Sequence, residues 1–224
     1  MAYIVCAEEH QNLWIAHTPD LPGCFASNEN RETAIQAISA AIDNYLDWCK
    51  KHGLRITGLS APMIVSEVIR AWEFEDGHIV NAFFASDRPP LIGAEIKEFE
   101  LLLDATYEDL LNSVEDIEPE NLNKILPGEQ RSIYEVLQHV AKSEWWYLDR
   151  LGLAFPRDGI PEDAKIFLRE VHAHIRAMLP ELQKRGGVMT VAGETWSARK
   201  VLRRSLWHRR DHTAHIAKLR ARLR

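Results

Sequence analysis

A chain of 224 residues, 46% of them hydrophobic, is long enough for one large domain or two small ones with genuine apolar cores. Its formal net charge of −6 does not point to a nucleic-acid binder, and no apolar run approaches the ~18 residues that would span a bilayer. Cys6, Cys24 and Cys49 are odd in number and lack CxxC spacing, so neither a disulfide framework nor a zinc ribbon is suggested, and with no basic leader the chain is expected to be cytoplasmic.

Residues 2–6 and 13–17 are short runs containing Ile, Val and Trp, separated by a polar segment, and they predict a first hairpin. A turn punctuated by Pro19, Pro22 and Gly23 feeds a third short strand. Asn28 or Asn30 can cap the helix that follows. Its apolar positions Ala34, Ile35, Ile38, Ala41, Ile42, Tyr45 and Leu46 recur at helical spacing, and Gly53 stops it. Residues 63–74 and 79–85 then predict a second hairpin turning at Asp76-Gly77.

This β-β-β-α-β order, with Pro19-Asp-Leu-Pro-Gly-Cys24 ahead of a helix ending in Tyr45-Leu-Asp-Trp48, resembles the HicB-like antitoxin domain over residues 1–86. The resemblance implies recognition of a small protein partner. A plain α+β module for dimerisation or for covering a second domain is the alternative.

The prolines at 89 and 90 place a linker at 87–93. Beyond it the composition changes, and residues 94–224 are assigned to a second, all-α domain. Helical patterns cover about 94–114, 130–151, 162–184 and 197–222, separated by loops rich in Pro and Gly, which predicts a four-helix bundle. Val188–Thr195 is left open as a loop or a short extended excursion. Residues 93–120 carry ten acidic side chains against Lys97, and residues 199–224 carry ten basic ones against Asp211. Neighbouring helices of opposite charge account for this more simply than a nucleic-acid stripe, because stacking aromatics are not interleaved.

Within the last helix His208 and His212 stand at i and i+4, on an apolar stripe running from Val201 and Leu202 to Ile216, Leu219 and Leu223. They are expected to point inward, where imidazoles need hydrogen-bond partners or a metal ion. In the second bundle helix His139 sits on the edge of the stripe formed by Ile133, Val136, Leu137, Val140, Tyr147 and Leu151, and can face the same cleft. Core histidines tied to Glu135, Glu144 or Asp211 are the alternative. His172 and His174, two apart on the third helix, point to different faces and are expected at the surface or rim.

A histidine in the second helix followed closely by Glu144-Trp-Trp146, with HxxxH in the fourth, resembles the DinB-like family over residues 93–222. Carried over, the family's metal-binding histidines fall on His139, His208 and His212. His215 stands where a glutamine often follows, as a supporting or competing ligand, and Glu144 could reach the rim as a proton acceptor or act behind the ligands to orient them. The resemblance implies a divalent cofactor (zinc, nickel or iron are not distinguished by imidazole ligands) at an open site. The activity it implies is a metal-dependent S-transferase acting on a low-molecular-weight thiol and an electrophile. Two alternatives stand beside it: a metal-dependent hydrolase, and a non-enzymatic, metal-stabilised module, a homodimer among its forms, recognising partners through the first domain.

Overall fold

The computed structural model describes residues 2–10, 12–56, 61–74 and 79–223. It divides into two compact units, residues 1–89 with 187–203, and residues 90–186 with 204–224.

In the first unit, strands β1 (Tyr3–His10), β2 (Leu13–His17) and β3 (Phe25–Asn28) form an antiparallel meander, and β4 (Met63–Ile69) adds to β1 in parallel, giving the order β3-β2-β1-β4. Helix α1 (Arg31–Lys51) supplies the return path that a parallel pair requires. Asn30, not Asn28, caps it, accepting from the Thr33 N–H. Its buried residues Ala34, Ile38, Ile42, Tyr45 and Cys49 make one face, and the Tyr45 hydroxyl donates to the Pro22 carbonyl at 2.7 Å, pinning the proline-rich turn. The expected hairpin of 63–74 with 79–85 is corrected. β4 leaves it to pair with β1, and only β5 (Trp72–Glu73) and β6 (Ile79–Val80) pair antiparallel. Asp76 and Gly77 lie outside the described residues.

β1 runs further than its apolar residues suggest because Glu8, wholly buried, has its charge satisfied. It accepts from His17 Nε2 at 2.8 Å and the Ala82 N–H at 3.1 Å, with Arg203 Nη1 at 3.5 Å. Arg203 also closes a bidentate pair on Asp87, both bonds 2.9 Å. Lys200 donates to Glu194 at 2.7 Å and to the Asn81 and Thr195 carbonyls. These contacts revise the boundary. Asp87 is a buried anchor rather than linker, and 187–203, assigned from the sequence to the bundle, groups with the first unit. Val188–Thr195 falls largely within a hairpin, β7 (Met189–Val191) and β8 (Glu194–Trp196), joined at Ala192 and Gly193 with φ of 47° and 70°.

The second unit is a four-helix bundle of α2 (Gly93–Asn112), α4 (Ile133–Asp149), α5 (Ala164–Lys184) and the greater part of α6 (Ala198–Arg222), with a single-turn α3 (Pro119–Leu122) between the first two. α5 packs against both α2 and α4. Leu110, Val136, Leu137, Val140, Phe167, Val171, Ile216 and Leu219 build one continuous core. The acidic face of α2 is met mainly by α5, where Arg176 reaches Glu100 at 2.6 Å and Asp104 at 3.2 Å, while Arg220 of α6 reaches Asp116 at 3.5 Å. Among the described residues no helix is long and apolar enough to cross a membrane.

Candidate metal centre

α4 begins with a reciprocal cap. The Ser132 hydroxyl accepts from the Glu135 N–H, and the Glu135 carboxylate accepts from the Ser132 N–H at 2.8 Å. Glu135 is thereby spent on the helix start, one turn before His139, and binds no histidine. α6 presents His208 and His212 on one face, and the three imidazoles meet. His208 Nε2 lies 3.2 Å from His139 Nε2 and 3.1 Å from His212 Nε2. The rings stand T-shaped to one another at 69°, 85° and 89°, with centroids 4.4 to 5.1 Å apart, so they present nitrogens to a common point rather than stacking.

That spacing is awkward for hydrogen bonding and apt for a cation. A neutral ring nitrogen is either one donor or one acceptor, so His208 Nε2 cannot form full bonds in both directions. A tetrahedral ion with N ligands at ~2.0–2.1 Å would space them about 3.3–3.4 Å apart. Burial, with Arg131 and Lys142 adding to it, pushes His139 down to about 4. Burial, then His139, His215 and Arg131, pushes His212 to about 3. Both rings are therefore neutral at physiological pH, the form that binds metals. The donor set fits a divalent ion, and no carboxylate joins it among the described residues.

One buried pair and one partly exposed pair fix the surroundings of the trio. Glu144, fully buried, binds Arg209 through Nε at 2.5 Å and Nη2 at 2.6 Å, so it does not serve as a rim acceptor. His215 donates to Glu129 at 3.1 Å and stays outside the trio, its ring 6.0 Å from that of His212. Tyr147 and Trp207 flank His208, with centroids at 6.2 and 5.6 Å.

His172 corrects an expectation. It is buried, stacked on Tyr107 at 4.0 Å and 6°, and accepts from Arg209 at Nδ1, 3.3 Å away. The Arg209 pairing that draws it inward left no periodic signal in the sequence. His174, half-buried, contacts the Leu153 carbonyl at 2.7 Å. The three cysteines are buried, and burial followed by Glu67 pushes the Cys6 thiol up to about 12, so that thiol is a poor nucleophile.

A four-helix bundle with three convergent histidines from two of its helices defines a class of helical metal-site proteins. The family model described as the DinB superfamily matches residues 102–216, just over half of the chain, and the chain belongs to that superfamily. A solved structure from Bacillus subtilis, YfiT, described as a probable metal-dependent hydrolase with an unusual four-helix bundle topology, is similar over 67% of this chain and 97% of its own, at 18% identity and a TM-score of 0.49. No curated protein matches.

Proposed function

We propose that the second unit binds a divalent metal ion through His139, His208 and His212, and that the protein is a metal-dependent S-transferase joining a low-molecular-weight thiol to an electrophile. The observation that carries this is the meeting of three Nε2 atoms at 3.1–3.2 Å steps. Held by three neutral ligands, a divalent ion supplies Lewis acidity and lowers the pKa of a water or thiol. The chain's residues do the rest. The buried Glu144–Arg209 pair ties α4 to α6 beside the ligands. Arg131 and Lys142, whose charges reach His139, favour an anionic reactant there. A thiol supplied from solution brings its own nucleophile, which suits a donor cluster without a carboxylate base. The test is a panel of thiols against chlorinated and epoxide electrophiles, before and after chelation. Conjugation that vanishes on chelation and returns with added metal supports the transferase; silence across the panel rejects it.

A hydrolase is the second reading, favoured by His215 and Glu129, an imidazole–carboxylate pair able to take a proton, next to His212. Thiol-independent cleavage of esters or amides that falls in His215→Ala would select it.

A binding role for the first unit, read as HicB-like from its sequence, is supported by edge strand β4, which exposes Met63, Ile64, Val65 and Val68. Light scattering of Val65→Lys against the unsubstituted chain tests whether that edge joins two copies.

A further inference from the structure

The second unit contains an open cavity of about 430 Å³, lined by Lys142, Ser143, Trp145 and Trp146 of α4, Phe167 of α5, and Arg157 and Ile160 of the loop between them. Its volume lies within the ~300–1,000 Å³ of small-molecule sites. Three aromatic rings and an isoleucine make its wall apolar. The wall is also rigid: the Trp145 indole N–H donates to the Phe155 carbonyl at 2.9 Å, and Phe155 meets the rings of Trp145 and Phe167 edge-on, each at 6.4 Å.

The polar groups of the lining are Ser143 and two cations, and no acid is among them. Arg157 lies over the Trp145 ring at 5.5 Å, so its charge is held at the wall. Arg150, over the Trp146 ring at 4.8 Å, is neutralised by Asp149 at 2.5 Å. Lys142 and Arg157 are exposed and have no ion-pair partner among the described residues. Ser143 and Trp146 follow His139 by four and seven positions, on the same side of α4.

We propose that this cavity is a binding site for a small anion with a flat apolar body, an aromatic carboxylate in chemical class. The rings take the body by stacking and apolar contact, and Lys142 and Arg157 take the carboxylate through charge-assisted hydrogen bonds. A cationic ligand of the same shape meets two like charges and no acid. The site needs no metal, so it stands or falls separately from the histidine trio.

Isothermal titration calorimetry of the untagged full chain with 1-naphthoate, 1-naphthylmethylamine and 1-naphthamide tests it, on protein treated with chelator and on protein as purified. The expected result is saturable binding of the carboxylate with a dissociation constant below about 1 mM, and amine binding roughly tenfold weaker or worse. Lys142→Glu with Arg157→Glu, both at exposed positions, should weaken carboxylate binding by about tenfold or more while the circular dichroism spectrum is unchanged. Absence of saturation, equal affinity for amine and carboxylate, or unaltered binding by the double variant overturns the proposal. So does binding that disappears with chelation, since the carboxylate would then sit on the ion.

Discussion

Arg209 grips both carboxylate oxygens of Glu144, at 2.5 and 2.6 Å, with no part of either side chain exposed. The pair joins α6 one residue after His208 to α4 five residues after His139, so it fixes the two helices where their histidines meet. Removing one partner strands a buried charge. Glu144→Gln should therefore cost about 3–5 kcal/mol of stability in thermal unfolding and weaken metal binding on the order of tenfold by loosening the ligands' support. Glu144→Leu combined with Arg209→Met should restore most of the stability, which a simple packing defect at either position would not allow.

The first unit carries a comparable arrangement. Arg203→Met leaves Asp87 and Glu8 buried without their cation, and a loss of about 3–5 kcal/mol is expected. Asp87→Asn, which keeps a hydrogen-bond acceptor for Arg203, should cost less than Arg203→Met in the same unfolding experiment.

Helix periodicity carried the four bundle helices and α1, because each buries a stripe at 3.6-residue spacing that polar caps and glycines delimit. It also brought His208 and His212 to one face. Long-range polar pairing left no such trace. Glu8 reads as a polar interruption until His17, Ala82 and Arg203 surround it, and Glu144 reads as a free rim acid until Arg209 closes on it. For the same reason 187–203 reads as part of the bundle, since Lys200 and Arg203 lie in a helix whose next turns do belong there. β4 reads as half of a hairpin from local pattern because its partner, β1, lies some sixty residues back and the pairing is parallel.

His172 sets an acid limit. Burial, then Arg209 and Arg176, push it down to about 3, against an ordinary value near 6.5. Between those values the unfolded chain binds a proton that the folded chain refuses, so stability is full above about pH 6.5 and falls as the pH drops toward 3. His172→Phe keeps a ring against Tyr107 and removes the titration. Its unfolding midpoint should fall less steeply between pH 6.5 and 4 than that of the unsubstituted chain. Parallel slopes would show that His172 is not the group responsible.

Gly193 is fixed by its turn. At φ of 70° a side chain is strained, and a Cβ there would come within 2.6 Å of the Phe74 ring. Gly193→Ala should destabilise by about 1–3 kcal/mol, seen as an earlier melting transition.

Metal content of the untagged protein, by elemental analysis, tests the convergence of His139, His208 and His212 most directly. About one divalent ion per chain is expected when the protein is purified without chelator, falling well below one in His139→Ala and in His212→Ala while both variants keep the helical circular dichroism of the unsubstituted chain. Retention of a full equivalent by either variant, or failure of the unsubstituted protein to take up zinc, nickel or iron after chelation and reloading, would contradict the account.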